Sequence, residues 1–335
     1  MAESAGPVHV SGIDLVVVGA SAGGVGTREG LVGRLPANLG VAVLVVLHVP
    51  SSGMSVLSEI LHRACVLDVR RAQDGMALGR SEILVAPTDH HLLVEGATVR
   101  LSRGPLVNGH RPAVDPLFET AARGYGPRAM GVLLSGTLDD GVAGLGAIKQ
   151  EGGVTAVQDP DQAPYPGMPR AAIEAGVADY VLSTGDLARL IASAGTGATG
   201  PMRPLESPPQ RLSDELDSPG VISALTCPNC GGALWEHQRN GLVQFECRVG
   251  HQYSPASLFE VQGQAVDDAL WAAHRALLER ADLARRMARR LQRSAREESA
   301  LKYDRTADEA ENRAAVLNEA LALSQPHDKT NSGAR

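Results

Sequence analysis

The stretch DLVVVGASAGG, residues 14–24, decides the fold. Its first half is a continuous apolar run, Leu15 to Val18, with no polar alternation. A strand of that kind is expected where both faces of a sheet are covered, as in a parallel sheet sandwiched between helices. Its second half, Gly19-Ala20-Ser21-Ala22-Gly23-Gly24, matches G-x-S-x-G. In that motif a serine projects from a tight strand-to-helix turn, and the amides at the helix start can bind an oxyanion. Two other readings fit the same residues, a phosphate-binding loop and a plain strand–helix turn. The dinucleotide fingerprint G-x-G-x-x-G fails because Ser21 stands at its second glycine, and no Gly-Lys-Ser/Thr follows for a P-loop.

Working outward, further apolar runs at 41–47, 129–134, 154–157 and 179–182 read as strands of the same buried type. Helical patterns lie near 25–35, 53–63, 116–124, 141–151, 169–175 and 185–193. Residues 66–102 hold short strand patterns broken by Gly, Pro and Asp, and read as a β-hairpin insertion. The expectation is a doubly wound α/β domain with a mainly parallel sheet over residues 13–193. Residues 1–12 read as a tail and 194–224, dense in Gly, Ser and Pro, as a flexible linker. A Cys/His segment covers 225–256, a helical or coiled-coil region 257–325, and a disordered tail 326–335.

Composition narrows the function classes. The 335 residues are 44% hydrophobic and 21% charged, which excludes a wholly disordered or fibrous chain. A net charge of −7 and 3% aromatic residues argue against nucleic acid as a partner. The amino terminus has neither a basic region nor an apolar core for a signal peptide, and the apolar run at 41–47 is too short to span a bilayer. A cytoplasmic protein without membrane insertion is expected.

Ser21 has candidate partners at equivalent places. His48 ends the second strand in LHVP, and Asp139 and Asp140 follow the 129–134 strand in SGTLDDG. Side chains just past the carboxyl ends of parallel strands lie where open α/β sheets place their ligands. A Ser–His–Asp relay needs an imidazole to take the serine proton and a carboxylate to orient it. His62, His90, His91 and His110 are equally available by type, Asp139 or Asp140 could cap the helix near 141, and Asp115-Pro116 reads as N-cap and N1 of a helix.

GASAGG, LHVP, VAPTDHHL, RPAVDPLF, SGTLDDGVAGL and QDPDQAPYPGMPRAAIEAG together resemble the catalytic domain of chemotaxis protein-glutamate methylesterases of the CheB type, over residues 13–192. The resemblance implies a serine esterase that hydrolyses glutamate methyl esters on chemoreceptors, with a further glutamine deamidase activity in the family. It places the nucleophile on Ser21, the base on His48 and the carboxylate on Asp140. Ala22, Gly23 and Thr137 fall at the oxyanion and pocket positions. No catalytic cofactor is implied, and the partner is the cytoplasmic domain of methyl-accepting chemoreceptors. The chain departs from the family pattern at Ala22, where Thr is common, and at Thr137-Leu138, where Met-Gly is common. Many members carry an amino-terminal receiver domain; only residues 1–13 precede the first expected strand, so none is expected here. The alternative is an inactive adaptor on the same scaffold.

Cys227-x-x-Cys230 followed by Cys247-x-x-x-His251 supplies four ligands for a tetrahedral, closed, structural Zn²⁺ site, with Gly231 and Gly232 permitting the first turn. A segment this small has little core, so a metal would supply its folding free energy. A redox CxxC and unligated thiols are the other readings, and His237 is a less well spaced substitute ligand. The segment also resembles a carboxyl-terminal extension of some esterases of the same family. From Gln264 to Gln325 there is no Gly or Pro, and Ala and Leu recur at 4-3 spacing with a phase break near 297–304. A long helix or a helical hairpin is expected, with the Ala seam packing by hairpin or by homodimer. The eight Arg between 275 and 296 read as a solvated face balanced by acidic residues at 297–311, or as a surface for nucleic acid or an acidic partner.

Overall fold

The structure, a computed structural model, describes residues 10–21, 30–48, 57–195, 200–202, 204–205, 220–239, 241–294 and 296–324. Most of the expected amino-terminal tail and of the linker, and the whole carboxyl-terminal tail, lie outside these residues. So does much of the two helical patterns at 25–35 and 53–63; α1, Leu57–Ala64, belongs to the second.

The apolar runs form the strands they predict, though the one at 179–182 is a partly exposed edge strand rather than a buried one. β1 (Leu15–Ala20) and β2 (Ala42–Leu47) are buried at every residue. Two further strands, β3 (Asp68–Arg71) and β4 (Glu82–Val85), are parallel members of the same sheet. This corrects the hairpin reading of 66–102. Only β5 (His91–Glu95) and β6 (Thr98–Ser102) pair as an antiparallel hairpin outside the main sheet. β7 (Ala129–Leu133), β8 (Val154–Gln158) and β9 (Tyr180–Leu182) complete a seven-stranded sheet in the order β3-β4-β2-β1-β7-β8-β9, with every pairing parallel. Strand order reverses at β1, so its carboxyl end borders the crevice where such sheets bind ligands.

Successive side chains of β1 feed two cores. Leu15 and Val17 join one face with Leu117, Phe118 and Leu145, while Val16 and Val18 join the other with Leu187, Leu190 and Ile191. Each such side chain stabilises the fold by roughly 1.5–3 kcal/mol on burial. Helices α2 (Val114–Tyr125), α3 (Val142–Gln150), α4 (Gly167–Glu174) and α5 (Thr184–Ala194) supply these faces. α2 and α3 approach closely at Gly144, where an added Cβ would stand 2.4 Å from Phe118 Cβ and 3.2 Å from the Asp115 carbonyl oxygen. Gly144→Ala raises helix propensity by about 1 kcal/mol, but overpacking costs about 1–3 kcal/mol. The expected net result is a lower urea midpoint with an unchanged m-value; an unchanged or higher midpoint would contradict the close approach.

The Cys/His segment forms a four-stranded antiparallel ribbon from β10 (Val221–Thr226), β11 (Ala233–Arg239), β12 (Leu242–Cys247) and β13 (Gln252–Tyr253). Helix α6 (Pro255–Arg293) starts directly after it, and α7 (Glu297–Ser324) follows a break a few residues ahead of the one expected. From Phe259 onward these helices form a separate unit. It is a hairpin. Ala281, Ala284 and Ala288 of α6 and Ala300, Ala307, Ala310 and Ala314 of α7 are buried, and Arg285 pairs with Asp304, Asp308 and Glu311. The alanine seam is thus buried within one chain, and part of the Arg run is matched by the acidic stretch. Among the described residues no helix is long and apolar enough to cross a membrane.

Candidate active site and metal centre

Register brings three strand ends together. Ala20 pairs with Leu47 and Gly19 with Leu133, so Ser21, His48 and the loop after β7 emerge side by side. The His48 amide donates to the Ala20 carbonyl at 3.2 Å and the Ser21 amide to the Ser135 carbonyl at 2.9 Å. Gly136 lies directly against the serine: a Cβ there would stand 2.9 Å from Ser21 Cβ and 1.9 Å from Met168 Sδ. A side chain at 136 would therefore push the serine turn.

His48 Nε2 and Asp140 Oδ2 are 2.6 Å apart, with side chains 7% and 3% exposed. The pairing leaves Nδ1 as the other ring nitrogen. Among the described residues no hydrogen bond joins Ser21 to His48. Ala22 and Gly23 lie outside the described residues, and Thr137 is exposed beside Gly136. The loop carrying Thr137 is held by the Gly136 amide on the Tyr165 carbonyl and the Met168 amide on the Gly136 carbonyl, each 2.9 Å.

Asp140 faces the His48 imidazole and does not cap the helix that follows it; its other bonds reach the loop before α2 and the first residues of α2. Its Oδ2 accepts from the Val114 amide at 2.6 Å, and its Oδ1 from Asn108 Nδ2 at 2.9 Å and the Asp115 amide at 3.3 Å. Burial alone would raise its pKa, but the bonds from His48, Val114 and Asn108 outweigh it and hold the carboxyl below the usual carboxylate range. Asp115 does the capping, though not of its own helix. It stands inside the first turn of α2, and its Oδ1 accepts from the Gly141 and Gly144 amides at the start of α3, at 3.0 and 2.8 Å. Burial and the adjacent Asp140 charge push the Asp115 carboxyl well up, while the donors around Asp140 hold that carboxyl down.

The other histidines separate cleanly. His110 stacks on His48 with ring centroids 3.8 Å apart and planes 15° apart. Burial, then the neighbouring His48, pushes its pKa down to about 4, so it packs as a neutral ring at neutral pH. His91 is a buried strut between the Pro105 carbonyl and the Ala113 amide, 2.9 and 3.3 Å away. His62 is exposed, and His90 bonds the nearby Thr88 carbonyl.

Sequence reasoning missed Asn108 and the serines after the ribbon. Asn108 Nδ2 donates to both Asp115 and Asp140, each at 2.9 Å. The Asn108-Gly109 dipeptide signals a turn, and Asn108 has φ 52, but nothing local points its amide at two carboxylates.

In the ribbon, Cys227, Cys230, Cys247 and His251 bring one ligand atom each within 4.8 Å of one another. Cys230 Sγ and Cys247 Sγ are 3.6 Å apart, and His251 Nδ1 is 3.6 Å from Cys227 Sγ and 3.5 Å from Cys247 Sγ. Ligands about 2.0–2.3 Å from a tetrahedral ion stand apart by about these distances. Two knuckles orient the thiols, with the Gly231 amide on the Cys227 carbonyl and the Gly250 amide on the Cys247 carbonyl, both 2.8 Å. The donor set fits a metal; His237, on β11, is outside it.

The span that carries these residues matches known proteins. The CheB methylesterase family matches residues 16–191. A protein-glutamate methylesterase/protein-glutamine glutaminase of Moorella thermoacetica is 39% identical over 57% of this chain and 46% of its own length. A putative protein of the same description from Leptospira interrogans is 38% identical over 53% of this chain and 92% of its own. The match spans about half the length of most such relatives. The crystal structure of the Thermotoga maritima CheB methylesterase catalytic domain superposes with a TM-score of 0.52 at 31% identity, covering 54% of this chain and 97% of that one.

Proposed function

Because the chain belongs to the CheB methylesterase family, we propose that it is a serine hydrolase that removes methyl esters from glutamate side chains of methyl-accepting chemoreceptors. The observation that carries this is the 2.6 Å His48–Asp140 pair at the strand end beside Ser21. Asp140, ionised and holding Nε2–H, leaves Nδ1 to take the Ser21 proton as the hydroxyl attacks the ester carbonyl. In this reading the tetrahedral oxyanion falls to backbone amides around Ala22 and Gly23, with Thr137 at the pocket rim. Protonated His48 then gives its proton to the departing methoxide, so methanol leaves, and water resolves the acyl-enzyme by the same relay. Glutamine deamidation follows the same course with ammonia as the leaving group. Catalysis needs no cofactor, and the working site is the cytoplasmic face of the receptor.

Methanol release from a methylated receptor tests the reading directly. The competing one, an inactive adaptor, draws on there being no Ser21–His48 hydrogen bond among the described residues. It predicts no methanol release and no labelling of Ser21 by a serine-reactive phosphonate.

The ribbon's four donors hold one structural Zn²⁺ in this reading, Cys227, Cys230, Cys247 and His251 closing the shell. Protein purified without chelator should contain about one zinc per chain. Cys230→Ser should lower that content severalfold and expose the ribbon to protease. Metal-free wild type with a fully protected ribbon would remove the zinc assignment.

A further inference from the structure

The ribbon does more than fold on itself. Its last strand runs beside the loop that leads to α2. The Gln252 amide donates to the Leu106 carbonyl at 3.2 Å, and the Asn108 amide donates to the Gln252 carbonyl at 2.8 Å. The Ser254 amide donates to Asn108 Oδ1 at 2.9 Å. On the other side, Ser254 Oγ and Ser257 Oγ both donate to Asp139 Oδ1, at 2.6 and 3.0 Å. Asp139 is the neighbour of Asp140, and Asn108 Nδ2 bonds Asp140 itself. A continuous chain of hydrogen bonds therefore runs from the segment just after His251 to the carboxylate facing His48. Every side-chain link in it joins residues remote in sequence, and Asn108 and Asp140 are buried.

Resting on the esterase reading above, we propose that the carboxyl-terminal ribbon is a positioning element of the active site, acting through Asn108, which the Ser254 amide holds against Asp140. Asn108 suits this work because one amide group offers both chemistries. Its oxygen receives the ribbon's N–H, and its nitrogen donates to two carboxylates at once. An aspartate there would keep the first bond and set a third carboxylate against the other two. Asp139, tied by two serine hydroxyls, fixes the same loop from its second side. Asn108 is a positioning residue. Among the described residues it has no hydrogen bond to the serine or the imidazole, and it sets where the imidazole's partner sits.

The test uses the full chain and reads kcat and KM for methyl-ester hydrolysis, the rate of phosphonate labelling of Ser21, and hydrogen exchange at the Ser254 amide. Asn108→Ala should lower kcat and labelling by about 10- to 100-fold with KM nearly unchanged, as a small misplacement of catalytic groups does. Asn108→Asp, although the same shape, should lose more than Asn108→Ala, an order that packing alone does not produce. Ser254→Ala combined with Ser257→Ala should lower kcat from the ribbon side alone, and Asn108→Ala should strip exchange protection from the Ser254 amide. Folded Asn108→Ala protein with wild-type kcat overturns the proposal, as does Asn108→Asp outperforming Asn108→Ala; wild-type kcat in the double-serine protein, which keeps the Ser254 amide, removes the Asp139 tie. If the wild type releases no methanol, the esterase reading fails separately. The exchange measurement still decides the tie, and unchanged protection at Ser254 overturns it.

Discussion

Ser21→Ala should abolish methanol release, lowering kcat by at least about 10⁴-fold, and should end phosphonate labelling of the chain. The loss is large because a nucleophile and its base act as a unit: with the hydroxyl gone, His48 and Asp140 have no proton to move. The fold should hardly notice. Ser21 is half-buried, and its structural bond, from its amide to the Ser135 carbonyl at 2.9 Å, survives the substitution. A stability change within about 0.5 kcal/mol is expected, as for substitutions away from packed or paired groups. Chemical denaturation and methanol release on the same preparation separate the two quantities. Retained wild-type turnover in Ser21→Ala would falsify the nucleophile assignment and move the chemistry elsewhere. Loss of labelling with retained methanol release would point to a metal- or water-based route instead.

The buried strands were legible because a parallel sheet covered on both faces demands continuous apolar runs, and VAVLVVL or AMGVLL admits little else. One edge is not. DVRR at 68–71 is buried at Val69 alone, since an edge strand needs few apolar residues, and its sequence reads as part of a hairpin insertion. Asp115 shows the same limit in the site. Asp-Pro at a helix start is a local capping signal, yet its carboxylate caps α3 across the domain while its own helix begins one residue earlier. The zinc-type ligand set was legible because CxxC and CxxxH spacings carry their own turn geometry. The tie from Ser254 to Asn108 was not, because it joins residues 146 apart in sequence and neither belongs to a motif. Short-range chemistry announces itself in a sequence; hydrogen bonds between separately folded segments do not.

Asp140→Asn should lower kcat by about 10³- to 10⁴-fold while leaving Ser21 and His48 in place. The reason lies in the donors around the carboxylate. His48 Nε2, the Val114 amide, the Asp115 amide and Asn108 Nδ2 all point hydrogens at it. An asparagine offers one acceptor oxygen and one donating nitrogen, so at least one of these donors loses its partner, which costs about 1–3 kcal/mol of stability. If the new N–H faces Nε2, the imidazole proton moves to Nδ1 and the base that Ser21 needs is gone. The pH dependence follows from the sign of the shift. Asp140 is held below the usual carboxylate range, so its contribution to stability is present above the unfolded value of about 3.9 and is lost only as pH falls through the lower folded value. It therefore stays charged across the working range, and the ratio of wild-type to variant activity should be flat from about pH 5 to 9. A ratio that collapses toward one on mild acidification would show that Asp140 takes up a proton in that range, and the orienting role assigned to it would have to pass to Asp115.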